Sequence, residues 1–506
     1  MHHPRTDSQR RLGKPSQADT ARLRWIKWVL LLIFLECFVY QALSPLLTWE
    51  TVINLTPDRL AFLILLAALA SKLIANGLGV LRLGRTEALM FSFAFVCTLS
   101  YLFFGRESGE TLATLTTLFD FIFVPLTVYL LIKALPHSQE KLKWFIGGFA
   151  VIGAYLAING WLEHFGVNFL VWPKYILDPA VGIQFGRTRG SFASSAALGG
   201  AMIVVFLAYS LLVIRSKDMR RKLIFVMLAL TAGTIYFTYQ RSAWLAFGVA
   251  VMMIAVPKTE MRRVSAVIAV LVMGVFLTGV GTKFSFGEGT LFGKRQQTID
   301  YRLVNYLTTY RMFKDNPVMG IGYGNFRYAW PNYVAPIKGM DIQELTDGNH
   351  NTFLGLLAEV GLIGLLLYLS IFYQMFRQGY HLFRRRQGLE REFALVFVTL
   401  VLCYMIDAVF SDFRSAQFLN TTLFAFFGMA AAQTAPAFKA SAPPLRRGLP
   451  RRSLQRPLTQ MAAASRRDQP AQAERPAARP PHSARAGGKR EGGRIEPGRG
   501  WRGGDA

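Results

Sequence analysis

Residues 347–371 read DGNHNTFLGLLAEVGLIGLLLYLSI, so a polar loop passes directly into an apolar segment. The apolar run from Phe353 onward reaches the ~18–20 residues that a helix needs to cross a bilayer. His350 therefore stands where a loop enters a membrane helix, flanked by Asn349 and Asn351. An imidazole titrates near neutral pH, and a helix amino end disfavours its protonated form, so His350 is a candidate general base. A capping or surface histidine is the simpler alternative for this residue taken alone.

Similar apolar runs recur along the chain. It has 506 residues, of which 52% are hydrophobic, and a mean hydropathy of +0.30. This composition excludes a soluble enzyme with one large core and predicts an all-α polytopic membrane protein. About twelve membrane helices are predicted, over residues 25–47, 58–79, 86–104, 111–134, 143–165, 192–215, 221–239, 242–257, 263–281, 351–377, 393–410 and 414–433.

The first apolar run is too long for the core of a signal peptide, and no small-residue cleavage pattern follows it. It is therefore predicted to be an uncleaved signal anchor. The three cysteines, Cys37, Cys97 and Cys403, all fall inside predicted helices. Their placement argues against a disulfide framework, and their spacing excludes a zinc site.

Basic residues follow the amino terminus into every second predicted loop. Lysine and arginine concentrate in short cytoplasmic loops, so this alternation predicts that both termini are cytoplasmic. The residues concerned are Arg5, Arg10, Arg11, Lys14, Arg22, Arg24, Arg82, Arg85, Lys133, Lys141, Lys143, Arg215, Lys217, Arg220, Arg221, Lys222, Lys258, Arg262, Arg263, Arg377, Arg384, Arg385, Arg386 and Arg391.

The pattern has exceptions on the outer side, and the most informative ones are Arg187, Arg189 and Arg241. Arg187 and Arg189 lie in GRTRGSF at 186–192, and Arg241 interrupts an apolar hairpin of two helices. An arginine near a membrane helix is costly unless it meets a partner or a water-filled cavity, and its guanidinium suits phosphate or carboxylate. Anion binding is one interpretation. Interfacial snorkelling, or an ion pair with an acid such as Glu163, is the other.

The longest hydrophilic segment between helices covers about 282–349. Apolar residues at helical spacing from Ile299 to Phe313 predict one amphipathic helix, which ends before Pro317. The glycine-rich turn at 320–326 is neither a Walker loop nor a dinucleotide fingerprint. The predicted organisation is a cytoplasmic basic amino terminus (1–24), nine membrane helices (25–281), a large periplasmic loop (282–349), three membrane helices (350–433) and a cytoplasmic tail (434–506).

The tail is rich in Ala, Pro, Gly and Arg. From Lys439 onward it has sixteen basic and five acidic residues, a net +11 of the chain's +27. Such a segment cannot bury a core and is predicted to be disordered. Its charge predicts contact with anionic membrane lipids at the cytoplasmic surface. Apart from Trp501 it lacks aromatic residues between the charges, which argues against nucleic acid as a partner.

One histidine and three arginines thus converge on one face of a membrane helix bundle. Arginines favour an anion and the bundle favours a lipid tail, so a lipid-linked phosphate or diphosphate is the predicted ligand. The outer side has no Asp-x-Asp motif and no clustered carboxylates to hold a divalent metal. A transfer without a metal or other cofactor is therefore predicted.

Four motifs carry a more specific resemblance: HNTFL at 350–354, EVGLIG at 359–364, NPVMGIGYGNF at 316–326 and RSAWLA at 241–246. They resemble the signature of the bacterial O-antigen ligase and polymerase superfamily, over roughly residues 20–435. The resemblance implies about twelve membrane helices in a GT-C-like glycosyltransferase architecture, a large periplasmic loop and a site on the periplasmic face of the inner membrane. It also implies transfer of a glycan from undecaprenyl diphosphate without metal or nucleotide.

The resemblance extends to the site residues. His350 matches the family's loop histidine, which acts as the base, and Arg241 matches one of the arginines that bind the diphosphate. The second arginine is Arg187 or Arg189. The chain has Ala-Ser-Ser at 193–195 where many members have Asn-Pro, a departure that affects the assignment of the second arginine.

Three neighbours of His350 are interpreted from their positions. Asn349 and Asn351 orient the imidazole or bind sugar hydroxyls. Glu359 lies about two and a half helical turns beyond His350, too far for a direct contact, and is interpreted as a helix-packing residue.

The leading hypothesis is an O-antigen ligase that joins the glycan to a lipid A–core acceptor. A polymerase that extends the lipid-linked glycan is the first alternative. A protein O-oligosaccharyltransferase is another, although these are usually longer and have an ordered periplasmic carboxy-terminal region. A membrane transporter is the alternative from a different class. Glu36, Asp120 and Asp407 would then couple protons, but no pair of broken helices marks a midplane site.

Overall fold

The computed structural model describes residues 17–434 apart from 41–55, 105–110, 184, 256–290 and 335–348. These residues form helices joined by loops and contain no β-strand. The helices are α1 (Gln17–Leu35), α2 (Pro57–Asn76), α3 (Arg85–Phe104), α4 (Thr111–Leu118), α5 (Val124–Ala134), α6 (Gln139–His164), α7 (Ser195–Arg215), α8 (Asp218–Phe237), α9 (Arg241–Ala255), α10 (Leu291–Asp315), α11 (Phe326–Tyr333), α12 (Thr352–Arg385), α13 (Leu389–Phe410) and α14 (Gln417–Thr434). The predicted helix at 263–281 and the predicted tail beyond Thr434 lie outside the described residues.

Among the described residues, six helical segments are long and apolar enough to cross a membrane. They are α3, the segment Leu115–Ala134 that ends with α5, α6, α7, α12 and α13. Five further helices, α1, α2, α8, α9 and α14, coincide with other predicted membrane helices. The described part of the chain is therefore all-helical with several membrane spans. The count of twelve stays a prediction.

Several helices extend beyond the apolar runs that predicted them. The first begins at Gln17 rather than at residue 25, and α12 continues to Arg385 rather than ending at 377. Lysine and arginine favour a helix as much as leucine does, so basic flanks continue the helix past its apolar part. At the other end, α1 stops at Leu35, whose carbonyl accepts a hydrogen bond from the Tyr40 hydroxyl at 2.9 Å.

The predicted helix at 111–134 contains a widened turn. Residues Phe119–Phe123 form a π-helical turn between α4 and α5, directly before Pro125. Proline has no backbone N–H, and its ring collides with the carbonyl four residues earlier in a regular helix. A π turn relieves this collision and leaves the helix continuous in direction.

The last helix forms the centre of the bundle. Nearly every residue of α14 from Phe418 to Gln433 is buried, as expected for a helix that is apolar all round. Phe426 stacks on Phe393 of α13 with ring centroids 5.6 Å apart, and Phe427 packs against Tyr129 of α5 at 4.9 Å. Helices α1, α5, α7, α12 and α13 all contact this helix.

The long helix α12 is broken at Gly361, where φ is +65° and ψ is −166°. The loop at 316–326 bonds with the backbone on both sides of the break. The N–H groups of Ile321 and Gly322 donate to the carbonyls of residues 358 and 359 at 2.9 and 3.0 Å, and Leu362 donates to the Pro317 carbonyl at 2.9 Å. Backbone groups in an apolar medium need such partners, so the loop and the first turns of α12 form one unit.

The helix predicted before Pro317 is confirmed as α10, but three residues of its predicted apolar stripe, Leu303, Leu307 and Tyr310, are exposed. It packs on α11 and on the start of α12 through a small apolar cluster of Val304, Met312, Phe326, Trp330 and Ala358. The indole N–H of Trp330 donates to Asn305 of α10 at 2.9 Å. This cluster holds the loop helices against the segment that follows His350.

Replacing Gly361 by alanine is expected to destabilise the protein by about 2–4 kcal/mol. The backbone angles at this position are accessible almost only to glycine, and an added Cβ would lie 2.3 Å from the Val318 carbonyl oxygen. Thermal unfolding in detergent measures the loss. Gly147→Ala in α6 is the matched control, because a Cβ there meets nothing within 4 Å. Equal stability of the two variants would contradict this account of the break.

Candidate functional site

The arginine loop (residues 186–192) lies beside the hairpin that carries Arg241. The Thr188 N–H donates to the carbonyl of Phe237, the last residue of α8, at 3.3 Å. Arg241 opens α9 after a turn of three residues, in which Tyr239 has a φ of +50°. The two arginine-bearing segments predicted to act together are therefore neighbours.

Arg189 is a buried residue whose guanidinium binds backbone carbonyls. Its side chain is only 1% exposed, and its guanidinium donates to the carbonyls of Ile176 and Asp178 at 3.1 and 2.7 Å. Glu163, considered above as an ion-pair partner, instead accepts hydrogen bonds from the backbone N–H groups of Arg189 and Gly190 at 3.2 and 2.8 Å. Arg189 thus joins the arginine loop to the segment before it.

A tyrosine strengthens the same junction. The Tyr175 hydroxyl donates to the Ser191 carbonyl at 2.7 Å and accepts from the Val39 N–H at 2.9 Å. Burial raises the pKa of Tyr175 above its ordinary value, so the phenol keeps its proton and remains a donor. The arginine loop is consequently held on two sides, whereas the side chain of Arg187 is exposed.

The start of α9 lies beside the end of α13. The Cys403 thiol donates to the Ala246 carbonyl at 3.2 Å, and Ser242 is hydrogen-bonded to Asp407. Arg241 precedes this contact by one residue and is half-buried. Asp407, a candidate for proton coupling in the transporter hypothesis, is thereby used within the bundle.

His350 directly precedes the amino end of α12 and is half-buried. Asn351 caps the helix, since its side-chain oxygen accepts from the N–H groups of Phe353 and Leu354 at 2.9 and 3.0 Å. The Asn349 side chain accepts from the Asn351 N–H at 3.2 Å and donates to Thr309 of α10 at 3.1 Å. Both asparagines are buried and hold the backbone on either side of the histidine.

Hydrogen bonds also connect this helix start to the end of α13. The Thr352 hydroxyl donates to the carbonyl of Ser411, which follows α13, and accepts from the Phe413 N–H, both at 2.9 Å. Because α13 ends where α9 begins, His350, Arg241 and the arginine loop lie at one end of the bundle. We call this the His350 end.

A buried ionic cluster below His350 was not predicted. Glu359, on α12, is 2% exposed and forms an ion pair with Arg414, which also binds Asp412 with its Nε 2.9 Å from a carboxylate oxygen. Glu359 further accepts hydrogen bonds from the N–H groups of Gly324 and Phe326 at 2.8 and 3.2 Å. Glu359 is thus a structural residue, as expected, but it acts through an ion pair and hydrogen bonds. The available signal was the pair of charged residues Asp412 and Arg414 in the short turn between two apolar helices.

No three His, Cys, Asp or Glu side chains among the described residues are placed to hold a metal ion. The three described cysteines are buried and free. The groups of the predicted site that are at least partly exposed at the His350 end are the imidazole of His350 and the guanidinium groups of Arg187 and Arg241.

Residues 224–369 match a protein-family model described as O-antigen ligase. This match supports the resemblance of these residues to the O-antigen ligase and polymerase superfamily. The matched segment runs from α8 into α12 and includes Arg241, Asn349, His350 and Glu359, whereas the arginine loop and Arg414 lie outside it. A comparison with curated proteins found no match to the chain. The family match and the apolar helices together support a multi-pass membrane protein with an enzymatic role of the ligase or polymerase type.

Arg189→Gln is expected to lower the free energy of unfolding by about 2–3 kcal/mol, because buried carbonyls lose their donor. Arg187→Gln removes the same charge from an exposed position and should leave stability unchanged. Thermal unfolding of the two variants in detergent compares them directly. A larger loss of stability for Arg187→Gln would show that Arg187, and not Arg189, is the structural arginine.

Glu359→Gln is expected to destabilise the protein by about 3–5 kcal/mol, since it leaves a buried guanidinium without one of its counterions. The matched control is Glu392→Gln, which breaks the more exposed pair with Arg215 at 2.9 Å and should cost at most about 1 kcal/mol. Denaturation of both variants under the same conditions gives the difference. Similar losses would mean that the Glu359 cluster does not support the loop.

Proposed function

We propose that this enzyme is an O-antigen ligase, which transfers a glycan from undecaprenyl diphosphate to a hydroxyl group of a lipid A–core acceptor. The observation that carries the proposal is the placement of His350, Arg241 and the arginine loop at one end of a membrane helix bundle. A base and two cationic groups at a membrane surface suit a donor whose leaving group is a lipid diphosphate. The family match supports the same reaction class.

In this proposal Arg187 and Arg241 bind the diphosphate. Arg187 is exposed on a loop held by Arg189 and Tyr175, so its guanidinium can approach a ligand while the loop backbone stays in place. Guanidinium groups form paired charge-assisted hydrogen bonds with phosphate oxygens. Their charges stabilise the negative charge that develops on the departing diphosphate. Arg189 then acts as a positioning residue.

His350 is proposed to take the proton from the acceptor hydroxyl as the hydroxyl oxygen attacks the anomeric carbon. The bond from that carbon to the diphosphate oxygen breaks in the same step, so one displacement inverts the anomeric configuration. The positive end of the α12 dipole favours the neutral imidazole that a base requires. Asn349 and Asn351 position the histidine through the backbone contacts described above.

The proposed location is the bacterial inner membrane, with the His350 end on the periplasmic face. The distribution of charge supports this orientation, because Arg85, Arg220 and Arg385 lie at helix ends remote from His350. Twelve membrane helices in a GT-C-like arrangement, with a large periplasmic loop, complete the proposal.

An in vitro transfer assay tests it. Purified protein is given an undecaprenyl-diphosphate glycan and rough lipopolysaccharide in the presence of EDTA. Wild type should produce glycan-bearing lipopolysaccharide. His350→Ala, Arg241→Ala and Arg187→Ala should each lower kcat/KM by about 10²-fold or more. Arg220→Ala, which removes an exposed arginine from α8, is the matched control and should remain active.

Added imidazole should restore part of the His350→Ala activity, because it replaces a missing base but does not repair a misfolded loop. Full activity of His350→Ala would overturn the assignment of the base. If only longer lipid-linked glycans form, the enzyme is a polymerase. A requirement for divalent metal would overturn the metal-independent mechanism.

A further inference from the structure

A basic cleft of about 640 Å³ lies at the end of the bundle opposite His350. It is formed by the start of α3, the last turns of α12 and the end of α14. Four arginines and one histidine line it: Arg85, Arg377, Arg385, Arg386 and His381. With about 1.5 Å of rise per residue, Arg385 lies roughly 35 Å along α12 beyond the break at Gly361, on the side away from His350. The cleft is therefore separate from the proposed active site.

The basic groups of α12 share one helix face. Lining residues occur at positions 374, 377, 378, 381, 382 and 385, a spacing of three and four that brings their side chains to the same side of a helix. Arg384, one position away from this face, does not line the cleft. The alignment concentrates positive charge along three turns of α12.

Most of this charge is not neutralised within the described part of the chain. Arg386 contacts Glu390 at 3.4 Å and donates to the Gln433 carbonyl at 2.5 Å. Arg377 contacts only the neutral Gln374 amide, at 3.4 Å. No acidic residue lines the cleft. Like charges that converge on one space repel each other, and a bound anion relieves that repulsion.

The wall opposite α12 is rigid. Glu87, in the first turn of α3, binds Lys133 at 2.5 Å and accepts from the Gly84 N–H at 2.8 Å. These contacts position Arg85 and Thr86 at the cleft. The Gln378 amide nitrogen donates to the Thr86 hydroxyl at 3.4 Å, while its carbonyl oxygen is buried and accepts no hydrogen bond from the described residues. A ligand with a hydroxyl group beside an anionic group would donate a hydrogen bond to the Gln378 oxygen and bind the arginines of the cleft.

The surroundings favour a lipid over a soluble anion. The cleft joins α3 and α12, both of which are apolar enough to cross a membrane. Tyr373 and Tyr380 of α12 are 64% and 59% exposed near the cleft, and exposed tyrosines are typical of the membrane–water interface. Basic pockets between helix ends at the cytoplasmic side bind anionic lipid headgroups.

We infer that the cleft binds the headgroup of an anionic phospholipid, with its phosphate on Arg85, Arg377 and Arg385 and a headgroup hydroxyl on Gln378. Phosphatidylglycerol combines these groups, since its phosphate carries a glycerol with free hydroxyls. The acyl chains then lie against the apolar exterior of the bundle.

Native mass spectrometry of the full chain in detergent tests the inference. Wild type should retain dioleoyl phosphatidylglycerol in preference to dioleoyl phosphatidylcholine. The double variant R377Q/R385Q should bind the anionic lipid about tenfold more weakly or worse. The matched control, R220Q/R384Q, removes the same charge from exposed arginines outside the cleft and should bind as wild type does. Equal retention by the two double variants would overturn the inference.

Two measurements on wild type make the test independent of how the variants fold. A photoreactive phosphatidylglycerol should label peptides that contain residues 374–386 or the start of α3, and labelling confined to other peptides would overturn the site. Soluble tripolyphosphate should fail to displace the lipid at micromolar concentration. Displacement of the lipid at micromolar tripolyphosphate would overturn the proposal of a lipid ligand and indicate a soluble polyphosphate instead.

Discussion

The buried ion pair between Glu359 and Arg414 is the interaction on which the His350 end depends. A charge placed in an apolar bundle is tolerated only when it is paired and its remaining hydrogen-bonding capacity is used. Glu359 meets this condition by binding Arg414 on one side and the N–H groups of Gly324 and Phe326 on the other. One carboxylate therefore connects a membrane helix, the loop before it and the turn between the last two helices.

The arginines of the His350 end and those of the basic cleft differ in their surroundings as well as in their position. At the His350 end, Arg189 and Arg414 bind carbonyl and carboxylate groups of the protein itself, whereas Arg187 and Arg241 are the arginines proposed to bind the diphosphate. At the opposite end, no acidic residue lines the basic cleft, and its arginines are proposed to bind a phosphate that takes no part in a reaction. Both ends handle phosphate in these proposals, but only one of them places an imidazole beside it.

Eleven of the twelve helices predicted from hydropathy fall on described residues, and each coincides with a helix of the structure. Long apolar runs predict these helices well because a membrane segment must be apolar over about 20 residues. Hydropathy misplaced the ends of several helices, because a helix continues into polar residues that have a high helix propensity. The sequence also left Arg187 and Arg189 equivalent. Their difference arises from carbonyls of residues 176 and 178, which approach only after the chain folds. Arg414 was missed for the same reason, because its partner Glu359 is 55 residues away.

The break in α12 at Gly361 changes what counts as the large loop of this enzyme. The segment 316–326 fills the hydrogen bonds that the interrupted helix leaves open, so neither part has a complete set of partners without the other. A chimaera that exchanges only the hydrophilic residues between relatives would pair one protein's loop with another protein's helix start. The natural unit for exchanging this loop between relatives therefore ends inside the membrane helix, past residue 363, and not at its amino terminus.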